Sequence, residues 1–149
     1  MKYCHAFQVR APQAAVSAFY SRSASLAAIT PPLVPMRVHR APERLVAGDE
    51  LEFTMWLGPV PVRWLARVDE ASAAGFVDRQ VQGPFASWAH RHRFVAVAES
   101  TTEVVDEVEA RLRRHVFWLP IGLILWLGLP LLFAFRAWRT RRLLERTGP

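Results

Sequence analysis

The sequence lacks the features of several protein classes. Cys4 is the single cysteine among 149 residues, so no disulfide can form within the chain. The chain shows no basic stretch followed by an apolar run at its N-terminus, no internal repeat and no low-complexity tract. We therefore expect a cytoplasmic protein with one domain over residues 1–149, in which Cys4 is a small buried side chain.

The distribution of charge argues against a nucleic-acid partner. The formal net charge is +6, but the excess lies near the C-terminus and the remainder is close to balanced. Nucleic-acid binders usually spread basic residues over a face that also reads bases. Basic residues around apolar sequence suit instead a helix whose charges extend away from an apolar body, or one that touches anionic lipid. The arginines concerned are Arg111, Arg113, Arg114, Arg136, Arg139, Arg141, Arg142 and Arg146.

Alternating apolar and polar residues predict a mostly β chain. Tyr3, His5, Phe7 and Val9 form the apolar face of a first strand. Two short helices are predicted to follow, one after Pro12 and one over residues 23–29. Turn residues then separate six alternating runs, and consecutive hairpins indicate an antiparallel meander. The predicted strands cover residues 36–39, 51–57, 62–68, 76–82, 87–97 and 102–112.

The C-terminal segment permits two interpretations. Residues 116–135 are twenty residues without a charge, a length that is typical of a transmembrane helix. The alternative is an apolar helix at about residues 119–146 that packs on the sheet. Its outer face could then touch a membrane surface or a second copy in a homodimer. Four residues would bend a membrane span, namely Pro120, Gly122, Gly128 and Pro130.

A motif runs through the last three predicted strands. Its letters are FxDxQxxGPFxxWxHxHxF, followed by TxxxDxV. Its residues are Phe76, Asp78, Gln80, Gly83, Pro84, Phe85, Trp88, His90, His92 and Phe94, then Thr102, Asp106 and Val108. This pattern resembles the SRPBCC superfamily of START-like proteins, in its polyketide cyclase/dehydratase-like or coenzyme-Q-binding-like branch. The resemblance implies an α+β helix-grip fold, in which a curved antiparallel sheet of about seven strands, in the order β-α-α-β6-α, wraps around a long C-terminal helix.

Strand alternation places the candidate site residues on shared faces. Two histidines lie on the same face of one strand as two aromatic residues. In one hypothesis these imidazoles line a pocket and orient a carbonyl or hydroxyl group of a ligand. In the other, Asp78 or Asp106 merely satisfies a half-buried histidine. The predicted ligand-binding residues are Trp64, Phe76, Asp78, Gln80, Trp88, His90, His92, Phe94 and Asp106.

No cofactor and no metal is predicted. The HxH pair needs further zinc ligands, and His5, His39 and His115 are scattered along the chain. Asp78 or Asp106 beside an imidazole could act as a general base. However, the sequence contains no nucleophile elbow and no phosphate loop, so a binding role is favoured over catalysis and the question of an enzyme stays open.

The leading functional hypothesis is binding of an apolar small molecule between the sheet and the C-terminal helix. The molecule would be lipid-, isoprenoid- or polyketide-like, because the superfamily that the chain resembles includes such binders. Two alternatives remain. One is a polyketide cyclase/dehydratase-like enzyme, and the other is a sheet domain anchored in a membrane through residues 116–135.

Overall fold

A curved antiparallel sheet dominates the computed structural model, which describes residues 1–147. The described residues form seven strands in the order β1-β7-β6-β5-β4-β3-β2. Neighbouring strands from β2 to β7 are also neighbours in sequence, so the predicted meander and the predicted α+β class are confirmed. The strands are β1 (Lys2–Val9), β2 (Met36–Arg40), β3 (Glu50–Leu57), β4 (Val60–Ser72), β5 (Gly75–Gln82), β6 (Phe85–Ala98) and β7 (Thr101–Leu112).

Irregular pairing curves the long central strands. The register between β4 and β5 shifts between Leu65 and Ala66, and again between Val68 and Glu70. Two further shifts interrupt the pairing of β6 with β7. An extra residue in one strand bends that strand and increases its twist. The sheet therefore acquires a concave face, which carries the candidate site.

Gly75 allows β5 to begin close to β6. Its φ angle is +143°, a conformation that side chains disfavour. A Cβ atom at this position would lie 1.9 Å from the carbonyl oxygen of His92. The glycine thus permits the close strand pairing that fixes the backbone of a site histidine.

Two short helices, α1 (Gln13–Ser21) and α2 (Ala24–Ala28), follow β1. Val16 and Tyr20 are the buried residues of α1, and they pack in one core cluster with Phe94 of β6 and Val104 of β7. The amide of Val16 donates to the carbonyl of Pro12, which lies at the start of the helix as predicted. These contacts close one end of the concave face.

The predicted C-terminal helix at about residues 119–146 is present, but it is bent rather than continuous. Two helices, α3 (Trp118–Leu127) and α4 (Leu129–Leu144), meet at Gly128 with a bend of 46°. Pro130 lies in the first turn of α4, where its missing N–H leaves no helical hydrogen bond unmade. A 3₁₀ turn at Glu145–Thr147 follows.

The bend divides the apolar segment that the sequence offers as a membrane span. Over residues 1–147, neither C-terminal helix alone has the length and apolar character to cross a bilayer. The pair α3 and α4 reaches that length and composition only when its two bent helices are taken together.

One face of each C-terminal helix covers the concave sheet. In α4 the buried residues are spaced three or four apart, as expected for one helical face. In α3, Gly122 lies against Leu112 and Phe85, and a Cβ atom there would come within 2.9 Å of Leu112. The buried residues of α4 are Leu129, Phe133, Ala137 and Thr140.

Cys4 is exposed, contrary to the expectation that it is buried. The alternation of β1 buries Phe7 and Val9 on one face, so residue 4 points to the other face. It pairs with Glu107 at the outer surface of the sheet.

Candidate ligand-binding site

A cavity of about 740 Å³ lies between the concave face of the sheet and the C-terminal helices. Its walls are mostly aromatic and aliphatic, and include Phe53, Trp64 and Trp88 from the sheet and Leu129 from α4. Four polar side chains on this wall lie close to one another, namely those of Asp78, His90, His92 and Arg136. An apolar cavity with a few convergent polar groups is the usual form of a small-molecule site.

Six of the nine predicted site residues lie on the wall of this cavity. The three others lie elsewhere in the described structure and do not line it. The lining residues are Trp64, Phe76, Asp78, Trp88, His90 and His92, and those outside the lining are Gln80, Phe94 and Asp106.

Gln80 and Phe94 make contacts within the fold and do not lie on the cavity wall, which corrects their prediction as ligand contacts. The side-chain amide of Gln80 donates to the carbonyl of Phe85 at 2.8 Å, and its oxygen accepts from the Phe85 amide at 3.1 Å. Gln80 thereby closes the turn between β5 and β6. Phe94 lies further along β6, buried under α1 beside Tyr20.

Asp106 lies behind the two histidines rather than on the cavity wall. Strand register explains the arrangement, because Asp78 is directly opposite His90 and Asp106 is directly opposite His92. The four side chains therefore cross three neighbouring strands as one cluster, which we call the His–Asp cluster. Asp78 is its most exposed member at 21%, while the side chains of the other three are 4–7% exposed.

Each carboxylate lies between the two imidazoles. The Nε2–H of His90 donates to Oδ1 of Asp106 at 3.0 Å, and the Nε2–H of His92 donates to Oδ2 of Asp78 at 3.3 Å. Nδ1 of His92 lies 2.9 Å from Oδ1 of Asp106, but it makes no aligned hydrogen bond. Nδ1 of His90 is 3.9 Å from Oδ2 of Asp78. The structural hypothesis, in which aspartates satisfy the histidines, thus describes real contacts.

The two imidazoles differ in charge. Burial would lower the pKa of His92, but its contacts with Asp106 and Asp78 outweigh burial and raise that pKa to about 9. Burial and the neighbouring His92 charge lower the pKa of His90, despite its bond to Asp106. At neutral pH the cluster therefore contains one imidazolium and one neutral imidazole.

Both carboxylates remain ionised inside the protein. Burial alone would raise the pKa of Asp106, yet its hydrogen bonds with His90 and His92 hold that pKa well below its usual value. The same balance, with His92 as the main partner, lowers the pKa of Asp78. The cluster thus contains two carboxylates and one imidazolium, and of the two carboxylates only Asp78 lies on the cavity wall.

Arg136 of α4 adds a positive charge to the cavity wall, although it was not among the ligand-binding residues predicted from the sequence. Its guanidinium lies 5.6 Å from the ring of Phe133. Its Nε atom is buried and has no hydrogen-bond partner among residues 1–147. Burial lowers the pKa of Arg136, while the charges of Asp106 and Asp78 oppose that shift. The sequence signal that could have identified Arg136 as a cavity residue is its position next to the buried face of an apolar helix.

Tyr20 is a second residue of the cavity wall that was not predicted from the sequence. Its hydroxyl forms a 3.1 Å hydrogen bond with Oγ1 of Thr140, and its ring lies 5.8 Å from that of His92. Burial, together with the charge of Asp106, raises the pKa of Tyr20. In the sequence Tyr20 is one apolar-face residue of a short helix, so nothing local marks it as part of the site.

The sheet order, the two helices after β1 and the helical segment across the concave face define the START-like helix-grip fold. The resemblance read from the motif is therefore confirmed at the level of the fold. No protein-family model matches the chain, and no curated protein matches it significantly.

Three solved structures illustrate the similarity. A START superfamily protein from Mycobacterium smegmatis superposes with a TM-score of 0.73 at 12% identity, covering 99% of both chains. The Zhui aromatase/cyclase from Streptomyces sp. R1128 gives 0.71 at 15% identity, covering 100% of this chain and 99% of that one. Norcoclaurine synthase from Thalictrum flavum, in complex with dopamine and hydroxybenzaldehyde, gives 0.72 at 14% identity, covering 100% and 88%. Such identities establish the fold, and the activity must be argued from the site.

Proposed function

We propose that this protein binds an apolar small molecule, of a lipid-, isoprenoid- or polyketide-like class, in the cavity between the sheet and the C-terminal helices. The observation that carries the proposal is an apolar cavity of about 740 Å³ whose wall includes the neighbouring polar side chains of Asp78, His90 and His92. This volume falls within the roughly 300–1,000 Å³ of sites for drug-sized molecules. Each 100 Å² of apolar ligand surface removed from water would contribute about 2.5 kcal/mol.

The polar end would set the orientation of the ligand. Asp78 is the cluster member most exposed to the cavity, and it can accept a hydrogen bond from a ligand hydroxyl. The guanidinium of Arg136 can donate to a ligand carbonyl or carboxylate. A molecule with an apolar body and one oxygenated end therefore matches the cavity best.

Exposed apolar residues support a route of access from one side. Leu33, Ile124 and Leu131 line the cavity, yet they are 89%, 59% and 79% exposed. They place the mouth between the segment joining α2 to β2 and the C-terminal helices. An apolar mouth favours ligands delivered from an apolar source. Two predictions concern this side of the protein. One is contact with a membrane surface through the C-terminal helices, and the other is pairing with a second copy in a homodimer.

Filling the cavity tests the proposal. Ala66 is a buried β4 residue on the cavity wall, so Ala66→Phe should lower the affinity for an apolar fluorescent probe such as anilinonaphthalene sulfonate at least about tenfold, or 1.4 kcal/mol. Fluorescence titration measures the affinity, and native mass spectrometry of the wild-type protein should show a co-purified apolar molecule. The matched control is Ala96→Phe, an exposed β6 position outside the cavity lining. Equal probe affinities in the two variants, or no probe binding by the wild type, would reject the proposal.

A proton-transferring enzyme is the second candidate, and the His–Asp cluster is the observation that favours it. The cluster brings a carboxylate and an imidazolium to the end of an apolar cavity, where a positioned acid and base can contribute about 10²–10⁴-fold to a rate. Two of the solved structures with this fold are named as an aromatase/cyclase and a synthase. The substrate would then be a polyketide-like carbonyl compound.

Turnover measurements separate the two candidates. With a polyketide-like substrate that binds, the enzyme hypothesis predicts that Asp78→Asn loses activity about 100-fold or more while it retains most of its affinity. Binding without detectable turnover by the wild-type protein would support the carrier. Unchanged turnover in Asp78→Asn would exclude this carboxylate from the chemistry.

A further inference from the structure

We propose that Asp78, His90 and His92 form a binding site for a divalent transition-metal ion, with zinc as the expected ion, at the polar end of the cavity. One possible ligand atom from each residue lies within 4.8 Å of the other two. The inference goes beyond binding of an apolar molecule and does not depend on it.

The pairing of the strands supplies the third ligand that the linear sequence does not show. His90 and His92 share one face of β6, and Asp78 lies opposite His90 on β5. Oδ2 of Asp78 is 3.3 Å from Nε2 of His92 and 3.9 Å from Nδ1 of His90. Ligand atoms around a tetrahedral zinc at about 2.0–2.2 Å are separated by roughly 3.4 Å. Small side-chain rotations would therefore bring the three atoms to coordination distance.

Asp106 lies where a carboxylate can hold the two metal-binding histidines in place without contacting the ion itself. It contacts Nε2 of His90 at 3.0 Å and Nδ1 of His92 at 2.9 Å, which are the ring nitrogens turned away from Asp78. Metal-binding histidines usually donate their second N–H to such a carboxylate. This arrangement directs the other nitrogen of each ring, Nδ1 of His90 and Nε2 of His92, toward the proposed ion, and binding of the ion would release the Nε2 proton of His92 to solvent.

The hydrogen bonding of the cluster is incomplete without an ion. Nδ1 of His92 is buried and has no aligned hydrogen bond, although Asp106 is at contact distance. Rotation of this ring toward a metal at Nε2 would allow Nδ1–H to align with Asp106. Buried polar atoms are normally paired, so the ring position that a metal at Nε2 would impose would also pair this atom.

The mixture of ligand types selects the class of ion. Two imidazoles and one carboxylate suit zinc and its neighbours in the first transition series, whereas calcium and magnesium prefer oxygen ligands throughout. Three protein ligands leave at least one position open. Asp78 faces the cavity, so that position would meet the oxygenated end of a bound molecule.

The test uses the full chain without an affinity tag, first treated with a chelator and then titrated with ZnCl₂ by calorimetry. We expect one ion per chain in the wild type and no stoichiometric binding in Asp78→Asn or His92→Gln. Asp106→Asn should weaken binding about 10- to 100-fold, because it disturbs only the outer partner. The control is His39→Gln, an exposed β2 histidine bonded to Thr54, which should bind as the wild type does.

Cobalt spectroscopy gives a readout that does not depend on the folding of any variant. Wild-type protein with one equivalent of Co²⁺ should show visible d–d bands typical of four or five ligands. Absence of these bands, absence of one-to-one zinc binding, or zinc binding that persists in a folded Asp78→Asn variant would each overturn the metal site. The apolar probe titration of the metal-free protein tests the proposed function separately, so failure of one proposal is distinguishable from failure of the other.

Discussion

Replacement of Asp106 by alanine is expected to lower the free energy of unfolding by about 3–5 kcal/mol. Asp106 is 3% exposed as a residue, and its carboxylate contacts a ring nitrogen of each cluster histidine, at 3.0 Å for His90 and 2.9 Å for His92. Its removal would leave the His90 N–H without its partner and the imidazolium of His92 with Asp78 alone. Breaking a buried ionic pair by removal of one partner costs more than the pair itself contributes. Urea unfolding followed by circular dichroism measures the loss.

The neighbouring residue provides the control. Glu107 forms a salt bridge with Arg93 on the opposite face of the sheet, where both side chains are more than 40% exposed. Glu107→Ala should therefore cost no more than about 1 kcal/mol. The variant Asp106→Asn keeps the shape and removes the charge, so it should lie between the two. If the alanine variants at 106 and 107 lose equal stability, the His–Asp cluster is not a stabilising unit.

Side-chain periodicity made much of the candidate site predictable. Successive strand residues alternate between the two faces of a sheet. His90 and His92 are two residues apart on β6, so when one of them faces the concave side the other does too. The same argument applies to Asp78 on β5 and Asp106 on β7. Register was not predictable in this way, because it depends on where the turns and bulges fall. The pairing of Asp78 with His90, and of Asp106 with His92, therefore emerged only from the structure.

Residues distant in sequence were harder to predict. Tyr20 reaches the site because α1 packs over β6, and Arg136 reaches it because α4 crosses the concave face. Neither contact has a local signal, since each depends on how a helix lies on the sheet. The bend at Gly128 differs, because its signal was local in the sequence. Gly128 and Pro130 were visible as residues that would bend a membrane span, but the sequence alone did not show that a helix packed on the sheet would also bend there.

The bend has a consequence for the site. A straight helix over residues 119–146 would meet a curved sheet along only part of its length. With a 46° bend, α3 packs against Phe85 and Leu112, while α4 packs against Val108. Residues of both helices, including Leu125 of α3 and Leu129 of α4, line the cavity. A change in the angle between α3 and α4 would therefore change the size of the cavity.

Replacement of Phe133 by alanine is expected to destabilise the protein by about 3–5 kcal/mol, because it removes a fully buried aromatic contact between α4 and the sheet. Phe133 is 1% exposed and packs with Val108. Its ring stacks on Tyr3 at 5.5 Å and meets the His90 ring edge-on at 5.3 Å. A truncated side chain would leave a void that this part of the sheet cannot fill, and would admit water to the His–Asp cluster.

Unfolding in urea measures the stability of this variant, and histidine NMR signals report on the cluster. We expect earlier unfolding together with faster exchange of the imidazole N–H protons. Leu131→Ala is the matched control, since Leu131 lies two residues away on α4 and is 79% exposed. Its effect should stay within about 0.5 kcal/mol. If both variants unfold at the same urea concentration, or if imidazole exchange is unchanged in Phe133→Ala, then Phe133 neither fixes α4 on the sheet nor shields the cluster from water.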